Sequence, residues 1–212
     1  MSKYIHNLIQ EGEHQHLDFK FEISDARKIA RTLVAFSNAS GGKLLIGVKD
    51  NGRIAGIRSE EEMYMLDTAA GLYCKPEIKF HCKKWTVDGK TILEADIPEG
   101  NLKPYLCRTE DNKWLAFIRL GEQNILEDIV QLKAWKMKYR KSGILLRFSD
   151  KEQKIMDHLN VHAQITLDNL TRETGLKRRT IIEILARLAS FNLIEIGVNE
   201  KGNYYQLKNS PA

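Results

Sequence analysis

What the chain has little of narrows the field first. Its 212 residues include four prolines, three tryptophans and three cysteines, and no apolar run approaches the ~20 residues that a membrane-spanning helix needs. The opening MSKYIHNLIQ puts polar residues where a secretory signal would carry its apolar stretch, so a cytoplasmic protein with no membrane partner is expected. Cys74, Cys82 and Cys107 are odd in number and widely spaced, which argues for reduced thiols rather than a disulfide framework. No G-x-x-x-x-G-K-[ST] occurs, so no phosphate-cradling loop of that kind announces a nucleotide site. One-sided charge is missing too. Lys and Arg number 33 against 28 Asp and Glu, a formal +5 that suits a nucleic-acid partner but is too mild to identify one.

What is present is an ordinary soluble balance, 42% apolar and 29% charged, in a chain long enough for two domains. Residues 13–50 organise the first. In HLDFKF the apolar Leu17, Phe19 and Phe21 alternate with Asp18 and Lys20, so in a strand the two charges share one face. Ser24 and Asp25 supply a helix start. Ile29, Leu33 and Phe36 then form the stripe that would lie on a sheet. Gly41-Gly42 reverses the chain into KLLIGV, a run apolar enough for a strand covered on both sides, and Asp50-Asn51-Gly52 signals a hairpin with RIAGI (53–57) returning.

A short amphipathic helix ending at Gly12 precedes this stretch, and SEEEMYMLDTAAGLYC follows it as a helix with acids in its first turn. EIKFHCKKWTV and TILEADI flank Asp88-Gly89 as a second hairpin; KPYLCRT and KWLAFIRL flank 110–112 as a third. The first domain, residues 1–145, therefore reads as α/β (α+β) with a mixed sheet. It closes with a connector helix in which Lys133, Lys136, Lys138, Arg140, Lys141 and Arg147 accumulate without an acid, which is either a nucleic-acid contact or a solvated face.

Residues 146–212 change pattern to three helices and a terminal hairpin around 199–202, an order that resembles a winged helix-turn-helix domain. Ser149 caps the first helix and Gly175 ends the second. Leu176, Ile181, Ile184, Leu185 and Leu188 would build the core. Lys177, Arg178, Arg179 and Thr180 fall at the start of the third helix, where side chains and helix dipole both favour phosphate, so duplex DNA is the expected partner.

Glu13, Asp18, Phe19 and Lys20, followed by Ala35, Phe36, Asn38, Gly41, Gly42, Leu44, Gly47, Val48 and Asp50, match E-x-x-x-x-[DE]-F-K and A-F-x-N-x-x-G-G-x-L-x-x-G-V-x-D. With Lys103-Pro104-Tyr105 and FIRLG at 117–121, they resemble the Schlafen AlbA domain, labelled DNA-binding or ATP-binding and common beside winged-helix modules in bacteria; the likeness spans residues 8–130. It implies that Glu13, Asp18 and Asp50 match three carboxylates that hold a divalent metal for RNA cleavage in eukaryotic Schlafen nucleases, with Lys20 beside them. A hard cation, Mg²⁺ or Mn²⁺, would suit such a trio. Asp18 stands where that family more often has Glu. On the other reading Asp50 caps a hairpin and Asp18 pairs with Lys20 on a wet face. His81, Cys82 and Cys107 are similar in outline to a zinc site of the same relatives, though Cys74 completes no CxxC spacing and buried thiols fit better. His14 and His16 flank the acidic motif as loop residues. Two functions stay open: a homodimeric DNA-binding transcriptional regulator needing no cofactor, which the winged helix favours, and a metal-dependent endonuclease.

Overall fold

The computed structural model describes residues 2–57, 59–138, 148–199 and 202–208. The chain divides into two compact units, 1–127 and 128–212.

In the first unit, strand β1 (Leu17–Lys20) leads through helix α2 (Ala26–Asn38) to strand β2 (Gly42–Ile46), which lies parallel to β1; helix α1 (Ser2–Glu11) precedes them. Asp25 starts α2 by accepting the Arg27 amide, as a short carboxylate at a helix N-cap does. The other edge of β2 pairs antiparallel with β5 (Lys90–Ile97), which forms a hairpin with β4 (His81–Val87). Its turn is Asp88-Gly89, at φ +50° and +73°, the paired positive angles of a two-residue turn that matches strand twist. The sheet order is β1-β2-β5-β4, a mixed sheet as expected.

Both faces of that sheet are covered, which accounts for the apolar run of β2. Ile29, Leu33 and Phe36 of α2 pack with Leu44, Ile46 and Leu93 on one side. Ile5 of α1 packs with Leu17, Phe19, Leu45 and Ile92 on the other. Because both edges of β2 are taken, the expected return strand at 53–57 does not form; a single bridge, Val48 to Ile54, remains.

Helix α3 (Glu61–Leu72) follows, and β3 (Cys74–Lys75), β6 (Leu106–Arg108) and β7 (Trp114–Leu115) make a second small sheet. KWLAFIRL is not one strand. It breaks at Ala116, and β8 (Phe117–Leu120) turns back at Gly121 into β9 (Gln123–Leu126), a hairpin the alternation did not reveal.

The second unit runs α4 (Ile129–Lys138), α5 (Asp150–Val161), β10 (Ile165–Thr166), α6 (Leu167–Thr174), α7 (Arg178–Ser190), β11 (Ile194–Asn199) and β12 (Gly202–Leu207), with sheet order β10-β12-β11. Ser149 and Glu152 form a reciprocal capping box on α5. Gly175, in the left-handed conformation, ends α6. Ile181, Ile184, Leu185 and Leu188 are buried as expected with Ile155, Leu170 and Tyr205, while Leu176 packs at the margin.

Helix α4 departs from the expected boundary at residue 145. Its Val130 is part of this second core, and Lys133 on it pairs with Glu183 of α7, so the helix belongs to the second unit. Asp128 explains where it starts. Oδ1 accepts the amides of Val130 and Gln131 at 2.7 and 3.3 Å, and Oδ2 accepts Asn203 Nδ2 and the Tyr205 hydroxyl at 2.7 and 3.0 Å.

Candidate functional site

The acidic motif is half assembled. Glu13 Oε1 accepts the Phe19 amide at 2.8 Å, which fixes its carboxylate beside Asp18. Burial raises the pKa of Glu13 above its ordinary value; the Phe19 amide works against this, and the negative charge of Asp18 adds to it.

Asp18 lies not on a wet face but in the interior, at 3% exposure, because β8 covers that side of β1. Its Oδ1 is 3.3 Å from Arg119 Nη2, and its Oδ2 is 2.9 Å from Lys20 Nζ, an ion pair outside hydrogen-bond geometry. Lys20 Nζ donates to the Phe19 carbonyl at 2.6 Å. Arg119, 2% exposed, also donates to the carbonyls of His14 and Leu17 and to Asn124 Oδ1, and lies over the Phe36 ring. The expected pairing of Asp18 with Lys20 is present, but the expected wet face is corrected: the carboxylate is buried, and Arg119 of β8 pairs with its other oxygen.

Asp50 does not join. It is exposed in the turn closed by the Gly52 amide on the Lys49 carbonyl, and among the described residues no choice of carboxylate oxygens brings Glu13, Asp18 and Asp50 within 4.8 Å of one another.

The neighbouring motif residues hold backbone. Gly41, at φ +76°, would put a Cβ 2.8 Å from the Ile97 carbonyl, so its lack of a side chain lets the turn pass close against the end of β5. Asn38 Nδ2 donates to the carbonyls of Tyr105 and Phe117, both at 2.9 Å, and its Oδ1 accepts the Tyr105 amide at 2.8 Å. His16 Nδ1 lies 3.1 Å from the Gly41 carbonyl, and His14 is 3.5 Å from Glu11.

The thiols are free. Cys74 and Cys107 face each other across β3 and β6, and Cys82 is on β4. Burial pushes Cys82 and Cys107 each up to about 11 and Cys74 higher still. His81, Cys82 and Cys107 form no three-ligand cluster among the described residues.

The first unit also carries a cationic feature that sequence reading passed over. Arg27 and Lys28, each about one turn before Arg31 on α2, line with it a cleft of about 720 Å³ that Glu110 and Asp111 rim, and Arg31 lies 4.4 Å over the Phe117 ring. The signal was the spacing of the three cations on one helix. The cleft wall, Phe117 and Asn124, comes from strands some ninety residues away and was invisible.

In the second unit, Lys177 is the N-cap of α7 and is exposed, as is Arg179; Thr180 is half-buried. Arg178 is exposed but paired with Asp168 of α6. Lys136 and Lys138 are exposed on the last turn of α4, and Arg140 and Lys141 lie outside the described residues. No described helix is long and apolar enough to cross a membrane.

A family model described as Schlafen, AlbA_2 matches residues 13–127, more than half the chain and ending at the last residue of the first unit. No curated protein matches. Sixteen solved chains do. One, from Corynebacterium diphtheriae, is 19% identical with a TM-score of 0.43, over 57% of this chain and 28% of its own. Another is the N-terminal domain of a RecG-related protein from Nitrosomonas europaea, 18% identical with a TM-score of 0.42, over 68% of this chain and 96% of its own. The chain thus spans little more than a quarter of the Corynebacterium protein.

Proposed function

Since the chain belongs to the Schlafen AlbA_2 family, we propose that it is a nucleic-acid-binding protein, a DNA-binding transcriptional regulator whose second unit is a winged helix-turn-helix docking on duplex DNA. The observation that carries this reading is the order α5-β10-α6-α7-β11-β12, with an α6–α7 turn at Gly175 and the exposed cations Lys177 and Arg179 at the start of α7. Helix α7 enters the groove, and the β11–β12 hairpin is the wing. Arg178 is spent on Asp168, so Lys177 and Arg179 bind the phosphates, with Thr180 beside them. Exposed Lys136 and Lys138 extend the positive surface. In the first unit, the Arg27, Lys28 and Arg31 cleft adds backbone affinity.

The test is duplex binding across a salt series. Replacing Lys177 and Arg179 by Ala should lower affinity and flatten the log K against log salt slope by about 0.9 for each phosphate that is no longer neutralised. Unchanged affinity and slope would remove α7 from the interface. A homodimer would match a two-fold operator, and a monomer at micromolar concentration in sedimentation would remove that part.

A metal-dependent endonuclease on structured RNA or DNA is the second reading, and the raised Glu13 carboxyl beside Asp18 favours it, since a cation would relieve that pair. Mg²⁺ or Mn²⁺ would have to draw in Asp50 and loosen Asp18 from Arg119 and Lys20, and Lys20 would then steady the leaving oxygen. Cleavage that needs Mn²⁺ and disappears in Asp50→Ala, a turn residue whose loss leaves the core intact, would establish it over the regulator.

A further inference from the structure

We propose that the second unit carries a transition-metal site, of the Zn²⁺ class, made by His158, His162 and Glu173. The two histidines are four apart on α5 and so share one face of the helix, and Glu173 reaches them from α6. Glu173 Oε2 is 3.4 Å from His158 Nδ1 and 3.1 Å from His162 Nε2, and one ligand atom from each of the three lies within 4.8 Å of the others. In a tetrahedral Zn²⁺ site with ~2.0–2.1 Å bonds, ligand atoms stand about 3.3 Å apart, which both histidine-to-carboxylate separations match.

The two imidazoles, with centroids 6.3 Å apart, both approach the same carboxylate oxygen. Arg172 approaches Glu173 only at the other oxygen, Oε1, at 3.9 Å, and leaves Oε2 to the histidines. Two imidazoles and one carboxylate select a borderline ion over Mg²⁺ or Ca²⁺, which prefer all-oxygen shells. The fourth position is open to water. The residue after His158 is the buried Leu159, so the general base that the zinc-protease pattern H-E-x-x-H places there is missing at that position. Bridging α5 and α6, the ion clamps two helices of the second core that are otherwise tied near this point by Lys154 donating to the Thr174 carbonyl at 2.6 Å. The sequence signal was His-x-x-x-His on a helix; its carboxylate partner is eleven residues further on.

Full-length protein titrated with Zn²⁺ should bind one ion per chain with a rise in melting temperature, and Co²⁺ should give tetrahedral visible bands that Zn²⁺ displaces. His162→Ala, at a partly exposed position, and the near-isosteric Glu173→Gln should each weaken Zn²⁺ binding more than about 100-fold, beyond what losing an outer-shell partner costs. Their folding is checked by far-UV dichroism in chelator. His14→Ala/His16→Ala should bind as the parent does. No saturable binding by about 1 mM Zn²⁺, equivalent to only ~4 kcal/mol of affinity, would overturn the site, as would undiminished binding in His162→Ala.

Discussion

Arg119 Nη2 lies 3.3 Å from Asp18 Oδ1, across 101 positions of chain, with both side chains almost wholly withdrawn from water. A charge pair in that setting is weak evidence for net stability, but breaking it strands a buried carboxylate. Arg119→Met should therefore cost about 3–5 kcal/mol in urea unfolding, because it also removes the donor to the His14 and Leu17 carbonyls. Asp18→Asn, which keeps shape and an acceptor, should lose less. If Arg119→Met left the urea midpoint unmoved, the pair would have no structural role.

Glu13 behaves in the opposite sense to a paired carboxylate. Its folded pKa is raised, so the folded chain holds the proton more tightly, and ionisation above that value subtracts from stability. Glu13→Gln keeps an acceptor for the Phe19 amide and removes the charge beside Asp18. Its melting temperature at neutral pH should exceed the parent's, with the advantage shrinking as pH falls from the raised folded value towards the ordinary carboxylate value of 4.5 and vanishing below it. Added Mn²⁺ that stabilises the parent and not the variant would reveal an ion at this pair.

Glu94 supplies the acid-side dependence. Burial pushes its carboxyl up, but the Tyr4 hydroxyl at 2.7 Å, the Lys43 ammonium at 3.0 Å and the Trp85 indole at 2.6 Å outweigh burial and hold it below its usual value. A depressed carboxylate contributes stability that is complete above its unfolded value of 4.5 and lost as pH falls through the lower folded value. Tyr4→Phe should flatten the acid limb of a melting-temperature profile of the full chain. A profile identical to the parent's would mean that this hydroxyl does not hold the carboxylate.

In the second unit, Tyr205→Phe removes a donor to Asp128 Oδ2 and leaves Asn203 Nδ2 in place on the same oxygen. A hydrogen bond to a charged group contributes ~1.5–3 kcal/mol, so a loss of that order is expected in denaturant unfolding. Burial raises the pKa of this phenol, and Asp128 raises it further. Tyr205 should accordingly be the last tyrosine to ionise in an alkaline absorbance titration, appearing only as the unit unfolds.

Signals written over a few adjacent residues were legible. Asp88-Gly89 specifies its own turn, Asp25 and Ser149 cap the helices beside them, and Gly175 stops α6. Features that need a distant partner were not. Asp18 alternates like a solvent-facing residue and becomes buried only because β8 arrives with Arg119. The β8–β9 hairpin hid inside an apolar run whose break at Ala116 has no turn residue to mark it. Helix α4 looked like a basic connector because Lys133, Lys136 and Lys138 run along it, while Val130, Ala134 and Met137, which seat it, are spread too thinly to mark a buried face. The start of α7 was correctly placed, yet the diversion of Arg178 to Asp168 depends on α6.

Asn38 joins the Tyr105 and Phe117 segments through three hydrogen bonds, and Arg119, two residues beyond Phe117, closes on Asp18. These two positions, unlike the exposed Asp50, are thus fastenings between remote pieces of backbone. A search keyed to them sorts sequences by whether they can be assembled this way and is blind to what they do once assembled.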